Sequence, residues 1–221
     1  MVSDTDEKAL GLHDAYSLET PEDNVELYAR WAETYDTEFV KSSGYTYPAV
    51  IARIYHEHAQ ANDAPILDVG CGTGLVAQEL RAKPSFNQDN IAIDGLDISA
   101  EMLAIAQSKS VYGNLIEGNI LETLEIAENT YGGVVSAGTF TLGHVGPEGL
   151  NELLRISRSN ALFVIGVSEK AYEQLNFAQF LEGLSQTDTI KDHKEVWAPI
   201  YGNKDDVHEN SQARVQVFRK R

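Results

Sequence analysis

The chain is short of cysteine, of basic residues and of long apolar runs, and each shortage removes a class of protein. Cys71 is the one cysteine among 221 residues. No internal disulfide can form, so a disulfide-stapled secreted scaffold is excluded and a reducing compartment is expected. A lone cysteine without companions is also no metal site, and the six histidines show no H-x-x-x-H spacing with an acid, so no metal is expected. No segment approaches the ~20 apolar residues of a membrane helix. The opening MVSDTDEKAL is acidic and lacks the apolar run of a signal peptide. A soluble, cytoplasmic protein with no membrane partner is the expectation. Basic residues number 17 against 34 acidic ones, a net charge of −17. Nucleic acid affinity comes largely from neutralised phosphates, so DNA and RNA are disfavoured as partners. The surplus of acid serves solubility.

What is present is a single-domain core, with 43% hydrophobic residues. Residues 1–22 are polar and aperiodic and read as a flexible tail or lid, with one domain over 23–221. Tyr28, Trp31, Tyr35 and Phe39 fall on one face of a helix. Pro48 opens a second helix, with Val50, Ile51, Ile54 and Tyr55 inward and Asn62-Asp63 at its end. Strands then alternate with helices from 65 to 168. The strands are expected over 66–69, 91–98, 111–119, 131–137 and 161–167. Ser99 caps the helix AEMLAIAQSK, and Gly146-Pro147 introduces another. Alternation of this kind calls for a parallel sheet with helices on both faces. A helix over 171–184 follows. HKEVWAPIY and ARVQVFRK then flank a turn-rich stretch without a helix between them, hence an antiparallel pair. Pro199 places the first of these at an irregular or edge position.

The organising stretch is PILDVGCGTGLVAQEL, Pro65–Leu80. Ile66, Leu67 and Val69 suit a short buried strand. Gly70, Gly72 and Gly74 allow a sharp turn and close approach to a ligand. Leu75, Val76 and Leu80 begin a helix. Strand, glycine loop and helix N-terminus hold nucleotide-like ligands. A dinucleotide loop wants G-x-G-x-x-G, but Leu75 stands where the third glycine belongs, and no lysine makes a phosphate loop. Asp68, at the end of the strand, would repel a pyrophosphate and suits a ligand with an ammonium group. Asp97, ending the next strand, can accept from both ribose hydroxyls. Asp97 alone would suit NAD as well. The glycine spacing with Asp68 favours a ribose carrying an amino acid tail, which is S-adenosylmethionine.

DVGCGTG, GLDIS and the antiparallel tail resemble the class I S-adenosylmethionine-dependent methyltransferases, over nearly the whole chain from about Tyr28. LYARWAETYD resembles the helix that precedes the core in ubiquinone/menaquinone-type enzymes. VVSAGTFTLGHVGPEGL is similar to the small methyltransferase-like proteins of the Williams–Beuren syndrome region. The resemblance implies an α/β fold: a Rossmann-like, doubly wound, mostly parallel seven-stranded sheet with an antiparallel C-terminal strand pair and extra N-terminal helices. It also implies roles. Gly70, Cys71 and Gly72 line the methionine part, Asp68 orients that loop and the amino group, and Asp97 holds the ribose. Ile98 and Ile120 lie by the adenine. Asn119 stands where the family often has an aspartate contacting the adenine amino group, and its oxygen can still accept. Ser136, Ala137 and Thr139 follow the fourth strand, where cofactor and acceptor meet. The N,D-P-P-Y,F signature of many nucleic-acid amino-methylating enzymes is absent there.

Other residues remain two-sided. Tyr35 and Asp36 belong to an aromatic stripe that packs a core or closes over the cofactor. His144, in TLGHVGP, is the candidate general base, against a purely structural histidine. The expected activity is methyl transfer to a small-molecule acceptor. A cofactor-binding partner or regulator without transferase activity is the rival, and a nicotinamide dehydrogenase is disfavoured by Leu75.

Overall fold

The computed structural model describes residues 44–86, 91–202 and 211–221. The helix expected around Tyr28, Trp31, Tyr35 and Asp36 lies outside them, as do the proposed tail over 1–22 and His208. Seven strands form one sheet: β1 Ile66–Val69, β2 Ile93–Asp97, β3 Leu115–Glu117, β4 Tyr131–Phe140, β5 Ser157–Ser168, β6 Ile190–Pro199 and β7 Gln212–Lys220. Their order across the sheet is β3-β2-β1-β4-β5-β7-β6. The first five pair in parallel, whereas β7 runs antiparallel to both β5 and β6. The helices are α1 Tyr47–His58, α2 Leu75–Arg81, α3 Ala100–Lys109, α4 Gly149–Ile156, α5 Glu169–Gln174 and α6 Phe177–Gln186. Of the extra N-terminal helices, α1 is the one described.

The central strand β1 and the inner half of β5 are buried on both faces, because helices cover both sides of the sheet there. Ile66 packs with α1 and α2 on one face, and Leu67 packs with α4 and α6 on the other. Leu162, Phe163, Val164 and Ile165 repeat that alternation along β5. The strand order reverses between β1 and β4, and there the crevice beyond the strand ends opens, as in other doubly wound sheets.

Several boundaries differ from the sequence reading. Helix α1 stops at His58, because Ala59 turns to extended backbone. Asp63 does not end that helix. It is buried against Arg219, with Nη1 2.8 Å from Oδ1 and Nη2 3.0 Å from Oδ2. The third strand shrinks to three residues because the backbone amides of Gly113 and Asn114 turn back to the Ile93 carbonyl and the Asp94 carboxylate. The helix expected over 171–184 is two helices, α5 and α6. They break at Asn176, whose φ of 57° is the left-handed conformation that asparagine tolerates. Gly146-Pro147 precedes a turn, and α4 starts at Gly149. Ser99 caps α3 as expected, accepting from the Met102 amide at 3.2 Å. Pro199 ends β6, the edge strand. Among the described residues, no helix is long and apolar enough to cross a membrane.

Candidate active site

A cavity of about 210 Å³ opens at the carboxyl ends of the parallel strands. Three strand ends build its floor. Gly70, Cys71 and Gly72 follow β1, Asp97 closes β2, and Asn119 and Ile120 follow β3. The opposite wall is Ala137, Gly138 and Thr139 of β4 with Thr141 and His144 just beyond. Ile98 also lines it.

The glycine loop takes its shape from left-handed backbone. Gly70 has φ 62° and Gly72 has φ 52°. A Cβ on Gly70 would collide with the Thr139 hydroxyl, whereas one on Gly72 would meet nothing within 4 Å. Gly70 is therefore required by packing and backbone together, and Gly72 by backbone while leaving open space in front of it.

Asp97 clamps the loop. Its Oδ2 accepts from the Gly72 amide at 2.7 Å and its Oδ1 from the Ser99 amide at 2.9 Å. Each oxygen keeps a further lone pair. Burial raises the pKa of Asp97, and the Ser99, Gly72 and Ile98 amides oppose the rise. A half-buried carboxylate with both oxygens oriented is suited to a vicinal diol.

Asp68 and Ser136 do not line the cavity. Ser136 is buried and donates to the Val69 carbonyl at 2.9 Å, where Thr139 also donates. The two hydroxyls tie β4 to the end of β1, behind the wall that Ser136 was expected to face. Asp68 lies inside the β1 layer with no exposure. Its Oδ2 accepts from the Tyr112 hydroxyl at 2.6 Å, and among the described residues no side chain donates to its Oδ1. Burial pushes its pKa up to about 7, the Asp97 carboxylate adds to the rise, and the Tyr112 phenol and the Ala77 amide oppose it. Asn119 spends part of its carbonyl oxygen locally, accepting from the Leu121 amide at 3.0 Å. Burial pushes the Cys71 thiol up, so it is a small neutral filler of the loop. Tyr35 lies outside the described residues.

His144 sits on the cavity wall with Nδ1 2.7 Å from the Thr141 hydroxyl and 3.4 Å from the Leu142 carbonyl. Burial lowers its pKa, so it is neutral near pH 7. His193 is elsewhere, on β6, with Nε2 2.8 Å from the Gln216 side chain.

Sequence reasoning missed a tyrosine rim. Tyr45, Tyr47 and Tyr201 line the cavity. The Tyr45 ring lies 6.4 Å from Tyr47 and 5.8 Å from Tyr201, and Tyr45 pairs with Tyr201 in an isolated antiparallel bridge. Gly166 leaves room for the Tyr47 hydroxyl, which any Cβ there would strike. The YTYP run was visible in the sequence, but its partner Tyr201 is far along the chain.

Residues 66–160 match the family model described as a methyltransferase domain. The chain is similar to human Methyltransferase-like protein 27, at 37% identity over 132 residues. That match covers 58% of this chain and 51% of the relative, so the chain spans about half the length of that protein. Among solved structures, a SAM-dependent methyltransferase from Aquifex aeolicus superposes with TM-score 0.60 at 15% identity, over 86% of this chain and 97% of that one. The 4+2 cyclase SpnF superposes with TM-score 0.63 at 14% identity, over 92% and 97%. These two likenesses are of fold.

Proposed function

We propose that the protein transfers a methyl group from S-adenosylmethionine to a small-molecule acceptor. The observation that carries the reading is the facing pair of walls: a glycine loop clamped by Asp97 on one side, and Thr141–His144 with a tyrosine rim on the other. The residues present fit the cofactor. Gly72 leaves open space before its Cα, Asp97 keeps lone pairs for a ribose diol, and Ile98, Asn119 and Ile120 make a partly apolar seat for the adenine. When bound, the cofactor supplies a methyl group activated on a sulfonium.

The chain's own work is alignment and exclusion of water. Gly70 and Gly72 let the loop backbone approach the methionine part. Asp68 supports that loop from behind, not by direct contact. The tyrosine rim shields the reacting end. The Leu142 carbonyl can only accept, so a proton on Nδ1 of His144 directed to it and to Thr141 makes Nε2 the basic nitrogen. That nitrogen would hold the proton of an acceptor hydroxyl or amine. Among the described residues, no lysine or arginine lines the cavity, which together with the net charge of −17 speaks for a small acceptor and against a nucleic acid. The lone cysteine suits a reducing, cytoplasmic setting.

A second reading, cofactor binding without methyl transfer, draws on the likeness of fold to a cyclase. The test is a metabolite-library incubation with S-adenosylmethionine, read by a methyl mass shift. A shifted product that vanishes in His144→Ala while cofactor binding persists supports transfer with a base. Tight cofactor binding with no shifted product favours the second reading.

A further inference from the structure

Beneath the glycine loop, the ring of Tyr112 fills a notch that two glycines leave open. A Cβ on Gly74 would come within 3.1 Å of the ring, and one on Gly95 within 3.2 Å. Gly74 is the residue that starts α2, with φ 94°. Tyr112 comes from the turn between α3 and β3, so it is a wedge inserted from outside the β1–loop–α2 unit. Its hydroxyl ends on the Asp68 carboxylate at 2.6 Å. No side chain among the described residues donates to the other, buried Asp68 oxygen. Among the described residues this phenol is therefore the one side-chain donor that holds a fully buried acid directly behind Gly70.

We propose that Tyr112 is a positioning residue of the cofactor site, holding Asp68 and with it the glycine loop in the shape that binds the cofactor. The inference rests on the S-adenosylmethionine reading above. A hydrogen bond to an ionised group stabilises the charged form, so the phenol keeps Asp68 able to ionise in a place where burial opposes it. A carboxylate behind the loop favours a ligand with an ammonium end. The groups that face Asp68 are the Tyr112 phenol, the Cys71 thiol and the Asp97 carboxylate, with the Ala77 amide at the start of α2. Among the described residues none of these is cationic, so no side chain there takes over the phenol's role.

The test is titration of S-adenosylmethionine into the full-length protein across pH 5.5 to 9, with Tyr112→Phe, Asp68→Asn and the double variant beside the wild type. The wild type should bind more tightly as pH rises through about 7. Tyr112→Phe keeps the ring. It should bind about tenfold more weakly at pH 7, with the inflection moved to higher pH. Asp68→Asn should lose that inflection, and adding Tyr112→Phe to it should not restore one. A uniform loss of affinity with an unmoved inflection would reduce Tyr112 to a packing role and overturn the proposal. So would unchanged binding by Tyr112→Phe. If Tyr112→Phe does not fold, persistence of the full inflection in Asp68→Asn overturns the proposal by itself. A wild type that does not bind the cofactor at all overturns the cofactor reading and this inference together, an outcome distinct from the others.

Discussion

Acids at the two ends of the parallel strands are treated in opposite ways. At the amino end, Asp63 meets the Arg219 guanidinium through two hydrogen bonds of 2.8 and 3.0 Å. Arg219 also donates to the His58 and Asn160 carbonyls. Asp94, at the start of β2, accepts from the Asn114 amide, the Asn114 side chain and the Tyr131 hydroxyl. At the carboxyl end, the side-chain donor to Asp68 is one phenol, and Asp97 is held by backbone amides. The amino end is satisfied and closed, and stabilises the fold. Among the described residues, the acids at the carboxyl end have fewer donors and no counter-charge, and the cavity and its glycine loop lie beside them. The difference between a structural acid and a ligand-directed acid lies in the partner set, not in the residue type.

The comparison can be broken first at its strongest point. Arg219→Ala strands Asp63 in the interior, and loss of one partner of a buried pair costs about 3–5 kcal/mol. Urea unfolding should show that loss, while the molecules still folded should bind cofactor with wild-type affinity. A loss below about 1 kcal/mol would mean that water reaches Asp63 and that the two ends are not different in kind.

Asp97→Ala should do the reverse. Charge-assisted hydrogen bonds of this kind contribute about 1.5–3 kcal/mol each, so cofactor affinity should fall ten- to hundredfold in calorimetry. Unaltered affinity would remove Asp97 from the ribose.

Asp68→Asn gives the smallest effect, and the most informative sign. The pKa of Asp68 rises on folding from about 3.8 to about 7. The folded state therefore holds a proton that the unfolded chain has released. The contribution of Asp68 to stability is full below pH 3.8 and is lost as pH rises through about 7. The stability gap between Asp68→Asn and wild type, both ligand-free, should widen from pH 4.5 to 7 and then level. A gap that narrows over this range would show that Asp68 is stabilised as the anion. For His144 the sign differs. Its pKa falls on folding, so its contribution is present at neutral pH and is lost in mild acid, below the ordinary histidine value of 6.5.

Much of this architecture was legible from local pattern. ILDV, the GCGTG loop and the helical spacing after it needed no tertiary knowledge, because strand period, glycine conformation and helix periodicity are properties of neighbouring residues. The Ser99 cap was legible for the same reason. The two acids at the strand ends could be placed beside one cavity because parallel strands of a doubly wound sheet bring their carboxyl ends together. Boundaries that depended on a distant partner were not legible: Asp63 looked like a helix end because Arg219 stands 156 positions away. The helix over 171–184 looked continuous because one asparagine in the left-handed conformation leaves little trace in periodicity.

The sequence by itself determined the class of fold, the glycine loop and the acids that flank it, since all are carried by short-range spacing. Only the tertiary structure decided which of those acids face the cavity. It moved Ser136 and Asp68 behind the wall, set Tyr112 under the loop as the donor to Asp68, and drew Tyr45, Tyr47 and Tyr201 into one rim. The physical reason is the same each time. A buried polar group or an aromatic ring is defined by what it touches, and those partners come from elements that meet only when the sheet is assembled.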